Sequence, residues 1–369
     1  MEKAEHRLSI MIAAGGTGGH IFPAQALALE LAQKLPKAQI TFVGAGLKDN
    51  DYFKKDLFPF LDIRSGTPFK KNPLKILKAL LHISQGVFRC LKFFSKKAPH
   101  AIVGFGSFHT FPALFAAKLK GIPIIIFESN ALPGKVNRFC SKWAKMSAIQ
   151  FSHASKYLHG ESVCVQMPLI KKREVTRKEA RSYFNLDSET LTILVFGGSQ
   201  GAQSINRFFC GAVQLLVSQG IDFQVIHIVG DEKRAERLKD FYEKLATRAC
   251  VKGFEDKMEY AWTAADLNIS RSGAATLAEL IEFCIPSILI PYPYGSENHQ
   301  MKNAIFVSDK VQGALSLDEK EMHGDTLAGH ILDLIGNSGE KLKEMRKNLY
   351  SYKEKENKQD LCSVVLNSL

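Results

Sequence analysis

The residues best suited to chemistry form a glycine-rich segment near the N-terminus, GGTGGH at Gly15–His20. An apolar run at Leu8–Ile12 precedes it, and strong helix formers follow from Pro23 onward. A strand, a glycine turn and a helix in this order direct backbone N–H groups and a helix dipole at a phosphate. The adjacent histidine can exchange a proton near neutral pH. The segment therefore predicts an anion or nucleotide site, with a ligand-free tight turn as the alternative.

The C-terminal half contains two further turns of this kind. GGSQGA at Gly197–Ala202 follows a predicted strand at Leu191–Phe196. RSGAATLAE at Arg271–Glu279 follows another predicted strand, and its Ser-Gly-Ala opens a predicted helix. Because the design of the first half is repeated, the sequence predicts two Rossmann-like halves, each with its own phosphate-binding loop.

Polar residues also follow other predicted strands. The turn GFGSFHT, Gly104–Thr110, and the tripeptide ESN, Glu128–Asn130, both come after apolar runs. Side chains at the carboxyl ends of parallel strands face the ligand crevice of an open α/β sheet. Glu128 and Asn130 are therefore candidate site residues, whereas His109 alone is more typical of an ordinary loop histidine.

The segment Asp49-Asn50-Asp51 has the D-x-D form with which metal-dependent sugar transferases hold a nucleotide diphosphate. A helical pattern follows it, at Tyr52, Phe53 and Leu57. The favoured interpretation is therefore an N-cap for a short helix rather than a metal site.

The composition excludes several classes of protein. Seven cysteines are scattered over the 369 residues and never spaced as C-x-x-C, which argues against a zinc site and for a reducing compartment. No apolar stretch is long enough to span a membrane. The charged N-terminal residues are not typical of a signal peptide.

The charged residues are distributed unevenly. Residues 1–165 contain 23 Lys and Arg against 9 Asp and Glu, whereas the remainder contains 26 against 28. Eleven basic residues and no acidic residue lie between Asp62 and Glu128. This imbalance predicts an acidic partner for the N-terminal half: an anionic lipid, a nucleic acid or a polyphosphate substrate.

The segment Pro73–Phe94 combines this charge with helical apolar spacing. It predicts an amphipathic helix, either lying in a membrane interface or packed on the core with a solvated basic face. Both interpretations stay open, because a core helix explains the apolar stripe but not the flanking lysines and surplus phenylalanines. The membrane-facing candidates are Lys70, Lys71, Lys75, Lys78, Arg89, Lys92, Phe93, Phe94, Lys96 and Lys97.

A proline and a charge run within Val165–Thr176 interrupt the strand pattern and predict an interdomain linker. The expected organisation is an N-terminal domain at 1–165, a C-terminal domain at 166–345 and a helical tail at 346–369.

Together these motifs resemble the MurG family, the N-acetylglucosaminyltransferases that convert lipid I to lipid II in peptidoglycan synthesis. The motifs that carry the resemblance are GGTGGH, GFGSF, ESN, GGSQGA, RSGAATLAE and PYPYGSENHQMKNA (Pro291–Ala304). The resemblance implies an inverting, metal-independent glycosyltransferase of the GT-B fold, with two Rossmann-like doubly wound domains facing a cleft. UDP-N-acetylglucosamine would be the donor and no cofactor would be required.

The resemblance also implies roles for individual residues. His20 would be the catalytic base, and the acceptor-side candidates would be Gly104, Gly106, Ser107 and Glu128. The donor-binding residues would be Thr17, Gly18, Gly19, Asn130, Ser199, Ala274, Ala275, Thr276, Glu279, His299 and Gln300.

The implied partners are lipid I, an anionic membrane surface and other proteins of cell-wall synthesis, but no nucleic acid. The implied location is the cytoplasmic face of the bacterial inner membrane, as a peripheral protein.

The sequence departs from the family at single positions. The family's Gly-Asn-Pro-Val-Arg reads Gln166–Ile170 here, so its donor-contacting arginine is replaced by Ile170. Whether Lys171 or Arg173 substitutes for that arginine stays open. Ser107 stands where a second glycine is usual, and Glu297 stands where aspartate is usual.

Other functions fit the sequence less well. A transferase that glycosylates diacylglycerol would share the glycine turns and the basic helix, so acceptor assays must separate the two. A UDP-sugar epimerase would not need that helix. A nucleic-acid-binding protein would explain the charge but lacks a recognised motif. A Rossmann dehydrogenase needs G-x-G-x-x-G with a later acidic residue, which the first glycine turn does not fit.

Overall fold

The computed structural model describes residues 8–69, 72–169, 174–198, 201–294, 298–356 and 358–369. The chain forms two compact units, one of Met1–Ile170 with Asn357–Leu369 and one of Lys171–Glu356. The division falls inside the predicted linker, five residues beyond the expected boundary. None of the described helices is long and apolar enough to cross a membrane.

The structure assigns the following secondary structure to the described residues. The strands are β1 (Ser9–Ala13), β2 (Gln39–Ala45), β3 (Phe60–Ile63), β4 (Ala101–Gly104), β5 (Ile124–Glu128), β6 (Met146–Ile149), β7 (Ser162–Cys164), β8 (Thr192–Phe196), β9 (Gln224–Ile228), β10 (Ala249–Lys252), β11 (Leu267–Ser270), β12 (Ser287–Leu289) and β13 (Ala314–Ser316). The helices are α1 (Gly18–Lys34), α2 (Pro73–Lys96), α3 (Phe111–Leu119), α4 (Lys135–Cys140), α5 (Arg177–Tyr183), α6 (Gln203–Ser218), α7 (Glu232–Lys244), α8 (Met258–Ala264), α9 (Ala274–Glu282), α10 (His299–Ile305), α11 (Gly324–Lys355) and α12 (Leu361–Asn367).

Each unit is built on one parallel sheet. In the described residues the first sheet has the order β3-β2-β1-β4-β5-β6-β7, and the second has the order β10-β9-β8-β11-β12-β13. The central strands are continuous apolar runs because helices cover both faces of a parallel sheet. Both orders reverse direction beside the first strand of the unit, as in doubly wound dinucleotide-binding folds.

The core of each unit lies between its sheet and the helices packed on it. In the first unit Met11, Ile102 and Ile126 pack with Leu114 of α3 and Phe94 of α2. In the second unit the equivalent cluster joins β8, β9 and β11 to α6 and α11.

The point where each strand order reverses lies between two glycine turns. The turns after β1 and β4 flank it in the first unit, and those after β8 and β11 flank it in the second. Ligands of open α/β sheets bind outside the carboxyl ends of the strands at this switch point. The four glycine-containing turns therefore lie where sheets of this kind bind their ligands.

Three sequence expectations need correction. Helix α1 begins at Gly18, five residues before the expected start at Pro23, so Pro23 is inside the helix. Residues 51–57 form turns instead of the expected helix after Asp51. The expected tail at 346–369 is divided, because α11 completes the second unit while Asn357–Leu369 returns to the first.

Backbone and side-chain contacts explain this division of the tail. The Gln359 amide donates to the Cys164 carbonyl at 3.0 Å, and the Gln166 amide donates to the Gln359 carbonyl at 3.0 Å. Lys34 of α1 forms an ion pair with Asp360 at 2.8 Å. The chain end is thus joined to the edge strand β7 and to α1.

Candidate functional site

The first glycine turn leads directly into α1. Thr17 is the N-cap residue, with extended backbone, so Gly18 and Gly19 provide the first amides of the helix. Backbone N–H groups in the first turn of a helix have no partner within the helix and point along its axis. His20 lies in the same turn, partly buried, and its Nδ1 is 3.3 Å from Thr17 Oγ1. The turn thus combines anion-binding amides with an imidazole.

Two side chains hold this glycine turn from neighbouring loops. The Asn50 side-chain amide donates to the Gly16 carbonyl at 2.7 Å. A Cβ atom at Gly15 would lie 2.7 Å from Cβ of His109, and Gly16 has φ +87°. Asn50 and His109 therefore fix the backbone of the turn, although the sequence favoured an N-cap for the Asn50 segment and an ordinary loop position for His109.

His109 is itself held by Ser107, whose Oγ is 2.7 Å from Nδ1 of the imidazole. Ser107 has φ 72°, a left-handed backbone conformation that favours glycine. Burial lowers the pKa of His109. The serine at the family's glycine position thus positions a predominantly neutral imidazole at neutral pH.

Glu128, at the end of β5, is completely enclosed by N–H donors. Its Oε1 accepts from the backbone and side chain of Asn130 at 2.9 and 3.1 Å. Its Oε2 accepts from the Gly134 amide at 3.0 Å and from Asn137 at 2.9 Å. Burial raises the pKa of Glu128, and these donors oppose that shift. The Glu128 carboxylate thus fixes the loop that positions Asn130, and the expected place of Glu128 on the acceptor side stays a prediction.

The other acceptor-side candidates lie around β4. Gly104 ends the strand and is buried, and a Cβ there would lie 2.8 Å from Leu114 Cδ2, so its lack of a side chain serves packing with α3. Gly106 has φ +83° and faces the side-chain amide of Asn137. Gly106 and Ser107 thus belong to the same loop system as Glu128 and His109.

The second unit places α9 immediately after β11. Gly273 is the N-cap residue of this helix, so Ala274, Ala275 and Thr276 occupy its first turn. Ala274 and Ala275 are partly buried and Thr276 is buried. These residues supply the first-turn amides at which the sequence predicts phosphate binding.

Glu279 lies in the second turn of α9 and accepts a hydrogen bond from Trp262 of α8. The indole Nε1 donates to Oε2 at 3.0 Å. Trp262 is completely buried and packs edge-on against Phe196 at the end of β8. Nothing in the sequence pattern identified Trp262, because its partner is seventeen residues away in a different helix.

Hydrogen bonds join the turn before α9 to α10. Ser272 Oγ donates to the Gln300 carbonyl at 2.8 Å, and Gln300 Oε1 accepts from the Tyr292 amide at 2.9 Å. Gln300 and His299 are both partly buried in the first turn of α10. The donor candidates Thr276, Gln300 and His299 therefore belong to connected elements.

Arg271 is a further residue that holds the loops of the second unit together. It is buried, and its guanidinium donates to the carbonyls of Ile290 and Pro291, to Glu319 and to Ser204 Oγ. These contacts tie the ends of β11 and β12 to the start of α6. The sequence motif included Arg271 without assigning it this role.

Several predicted residues lie outside the described part of the chain. They are Lys70, Lys71, Ile170, Lys171, Arg173, Ser199 and Glu297.

Helix α2 exposes a row of large apolar side chains beside basic ones. Leu74 is 74 % exposed and Phe88 is 70 % exposed, and Leu77, Leu80 and Leu81 are also exposed. We call these five residues the α2 apolar face. The basic candidates that the structure describes on and just after this helix are all exposed, namely Lys75, Lys78, Arg89, Lys92, Lys96 and Lys97.

One membrane-facing candidate, Phe94, faces the core instead, because it is 2 % exposed and belongs to the core of the first unit. Phe93 packs partly buried against the same cluster, and its membrane-facing role stays a prediction. Cys90 and Phe94 form the buried side of α2 because they lie one helical turn apart.

The described residues contain one group of potential metal ligands, Glu30, Asp360 and Cys362. Lys34 forms ion pairs with both carboxylates at 2.8 Å, so its ammonium already occupies the position of a cation. Asp49 and Asp51 are exposed and are not part of this group.

Family models match both units of the chain. Residues 10–149 match the glycosyltransferase family 28 N-terminal domain, and residues 192–362 match the glycosyltransferase family 28 C-terminal domain. The first match covers the strands from β1 to β6, and the second covers those from β8 to β13.

Known proteins match almost the whole chain. A UDP-N-acetylglucosamine–N-acetylmuramyl-(pentapeptide) pyrophosphoryl-undecaprenol N-acetylglucosamine transferase of Protochlamydia amoebophila is 41% identical over 97% of this chain and 95% of the relative. A protein of the same name from Desulforamulus reducens is 36% identical over 91% of this chain and 92% of the relative.

A solved structure agrees with these relatives. The crystal structure of Acinetobacter baumannii MurG superposes with a TM-score of 0.74 and 25% identity, covering 98% of each chain. The predicted fold class, two parallel-sheet α/β domains of the GT-B type, is thereby confirmed. The chain belongs to the MurG family of glycosyltransferases.

Proposed function

We propose that this protein transfers N-acetylglucosamine from UDP-N-acetylglucosamine to the C4 hydroxyl of undecaprenyl-pyrophosphoryl-N-acetylmuramyl-pentapeptide, converting lipid I to lipid II. The observation that carries the proposal is the pair of glycine turns at the switch point of each sheet. A sugar nucleotide and a pyrophosphate-linked acceptor are both phosphate ligands, and each unit offers amides for one. The relatives' names describe this same transfer.

The second unit supplies the donor contacts. The first-turn amides of Ala274, Ala275 and Thr276 stabilise the negative charge that develops on the diphosphate as UDP departs. Glu279, oriented by Trp262, accepts hydrogen bonds from ribose hydroxyls. His299 and Gln300 bind hydroxyls of the nucleotide sugar or the transferred sugar, and Ser199 is a further diphosphate contact.

The first unit supplies the catalytic base and further contacts to the donor. The acceptor hydroxyl attacks C1 of N-acetylglucosamine and gives its proton to His20, while the bond between C1 and the diphosphate oxygen breaks. The configuration at C1 is inverted because attack and departure occur on opposite faces. Thr17, Gly18, Gly19 and Asn130 contribute contacts to the donor, and Gly106 and Ser107 contribute to the acceptor side.

The diphosphate contacts proposed here are backbone amides and hydroxyls, which need no divalent cation. We therefore expect transfer to continue in EDTA and to require no added cofactor. Loss of activity in EDTA and its recovery with Mg²⁺, using a soluble acceptor, would contradict this part of the proposal.

The α2 apolar face and its basic neighbours support docking to an anionic membrane. An amphipathic helix with exposed leucines and several lysines binds an interface through apolar burial and attraction to anionic lipid. The cytoplasmic face of the inner membrane, where the donor and the lipid acceptor meet, is the proposed location. Other proteins of cell-wall synthesis are proposed partners there.

The test is acceptor-dependent release of UDP. Purified protein is given UDP-N-acetylglucosamine with a lipid I analogue or with diacylglycerol, and UDP is measured by a coupled assay. The proposal expects release only with the lipid I analogue, and a much lower rate with UDP-glucose as donor. Release that depends on diacylglycerol would identify the other lipid-acceptor transferase instead.

A further inference from the structure

A recess of about 490 Å³ opens beside the first glycine turn, and none of the roles proposed above uses it as a binding site. It lies at the ends of β2 and β3 and against α2. Its polar lining consists of Arg64, Ser65, Lys78, His82 and His109. We call it the β2–β3 recess.

The charge of this recess is positive and not neutralised within the described structure. No carboxylate is among its described lining residues, and none of the described ion pairs involves Arg64 or Lys78. The Arg64 guanidinium donates to the neutral Gln85 side chain at 3.1 Å. The nearby carboxylate of Asp62 accepts a hydrogen bond from the Leu47 amide at 2.7 Å. Asp62 is thus bound to the turn after β2. The recess is therefore suited to an anion, and guanidinium and ammonium groups are the usual ligands of phosphate.

The recess is also continuous with an apolar surface. Lys78 and His82 lie one helical turn apart on α2, in the same row as Leu74. Leu77 and Leu81 of the α2 apolar face occupy the adjacent row. A ligand that filled the recess and also covered these leucines would need an anionic head and a hydrocarbon chain.

His109 connects the recess to the candidate catalytic turn. It lines the recess and packs against Gly15 of the GGTGGH turn that contains His20. In a pyranose, C1 and C4 lie on opposite sides of the ring, so a C1-linked pyrophosphate must bind about one sugar ring away from the reacting C4 hydroxyl. The β2–β3 recess lies next to the GGTGGH turn but outside it, and therefore meets this requirement.

We propose that the β2–β3 recess binds the pyrophosphate of the lipid-linked acceptor, with the polyprenyl chain leaving across the α2 apolar face. This inference rests on the proposed function, since it assigns a subsite to that acceptor. The same chemistry would suit the phosphate headgroup of an anionic phospholipid, so the experiment must separate the two sources.

The test compares two double variants that remove equal charge. Arg64→Gln with Lys78→Gln changes the recess, and Lys118→Gln with Lys120→Gln changes two exposed lysines near the end of α3 in the same unit. Kinetics use a water-soluble short-chain acceptor, in detergent-free buffer without vesicles. Binding to vesicles of phosphatidylglycerol is measured separately by co-sedimentation.

The inference expects the acceptor KM of the recess variant to rise about tenfold or more, since each charged hydrogen bond to phosphate is worth at least that factor. Its donor KM and kcat should stay within about twofold of wild type, and the control variant should show wild-type kinetics. Circular dichroism checks folding, and His82→Asn gives a milder second variant that should raise the acceptor KM in the same direction.

Equal acceptor KM values for both double variants would overturn the inference. Weakened vesicle binding by the recess variant alone, with unchanged acceptor KM, would assign the recess to a phospholipid headgroup and also overturn it. If wild-type protein transfers nothing to the acceptor, the proposed function itself fails, which is a different result from either of these.

Discussion

The indole nitrogen of Trp262 donates a hydrogen bond to Oε2 of Glu279 over 3.0 Å, and it does so from a fully buried position. The contact joins α8 to the second turn of α9, the helix whose first turn carries three predicted donor contacts. In the proposed function the Glu279 carboxylate accepts hydrogen bonds from ribose hydroxyls, which needs a fixed orientation, and this bond supplies one. We therefore infer that Trp262 positions Glu279 for the donor.

Replacement of Trp262 by Phe keeps most of the ring packing against Phe196 but removes this hydrogen bond. We expect the KM for UDP-N-acetylglucosamine to rise about tenfold, because a hydrogen bond to a charged group contributes roughly 1.5–3 kcal/mol. The KM for the acceptor should change little. Steady-state kinetics with each substrate varied in turn measures both quantities.

Replacement of Glu279 by Ala should weaken donor binding more strongly than Trp262→Phe. Because the two residues act through one contact, the double variant should resemble Glu279→Ala alone. Calorimetric titration with UDP measures the affinity directly. Fully additive effects of the two substitutions would show that Trp262 acts on the donor site independently of Glu279.

Glu128→Gln tests whether that carboxylate supports the loop or takes part in proton transfer. The glutamine would place an N–H group opposite N–H donors from Asn130, Gly134 or Asn137. We expect the free energy of unfolding to fall by about 1–3 kcal/mol and kcat/KM to fall with it, because Asn130 loses its fixed position.

The shape of the pH–rate profile should stay the same in Glu128→Gln, since Glu128 exchanges no proton in the proposed reaction. Urea unfolding and the pH dependence of kcat provide the two measurements. Glu161→Gln, at an exposed position before β7, is the matched control for loss of a carboxylate. Loss of one limb of the profile would instead make Glu128 an acid or base.

The burial of His227 predicts that the stability of the second unit depends on pH. Its ring is fully buried, with Nδ1 2.9 Å from Tyr242 Oη and Nε2 3.1 Å from Asn206 Oδ1. Burial lowers the pKa of His227 to about 3. The pKa of a histidine in the unfolded chain is near 6.5. Between about pH 6.5 and about pH 3, the unfolded chain therefore binds a proton that the folded chain does not.

Stability should therefore fall as pH falls below about 6.5, by up to roughly 1.4 kcal/mol per pH unit from this residue. Urea unfolding at several pH values between 7 and 5 gives the slope. His227→Gln should have a shallower slope, whereas replacement of the exposed His159 should leave it unchanged. Equal slopes in wild type and His227→Gln would contradict this account.

The basic surface of α2 predicts a salt-sensitive attachment to membranes. Charge reversal at Lys75, Lys92 and Lys96 should release the protein from vesicles of anionic lipid, since each such lysine contributes about 1 kcal/mol near the surface. High salt should have the same effect on the wild type.

The matched control reverses Lys233, Lys239 and Lys244, three exposed lysines of α7 in the second unit. This variant should bind vesicles like the wild type. Equal loss of binding in both variants would show that net charge, rather than the α2 surface, attracts the membrane. If neither variant binds the vesicles more weakly than the wild type, the result would favour the alternative that α2 is an ordinary packed helix.

Much of the architecture follows from the local sequence. The parallel strands were identifiable because they are continuous apolar runs, and the glycine turns because few other sequences give tight turns with free amides. The short edge strands β3 and β7 were not identified, since most of their residues are only partly buried and their side chains are mixed in polarity. The start of α1 was misplaced because the glycines at its beginning are poor helix formers in isolation.

The contacts that hold the site together were less accessible to sequence reasoning. The Asn50 contact to Gly16 and the Trp262 contact to Glu279 join residues on separate elements. Such pairs depend on how the strands are ordered in the sheet, which no local pattern encodes. Phe94 illustrates the same limit, because an amphipathic pattern shows that a helix has two faces but does not show which residues at their border are buried in the core.

The central claim is the transfer itself, and identification of the product tests it most directly. Wild-type protein is incubated with UDP-N-acetylglucosamine and a short-chain polyprenyl-pyrophosphoryl-N-acetylmuramyl-pentapeptide, and the lipid products are analysed by mass spectrometry and NMR. The account predicts an acceptor that has gained one N-acetylhexosamine, joined by a β bond to the muramyl C4 oxygen, with one UDP released for each. An unmodified acceptor, or one that carries an α-linked sugar, would contradict it.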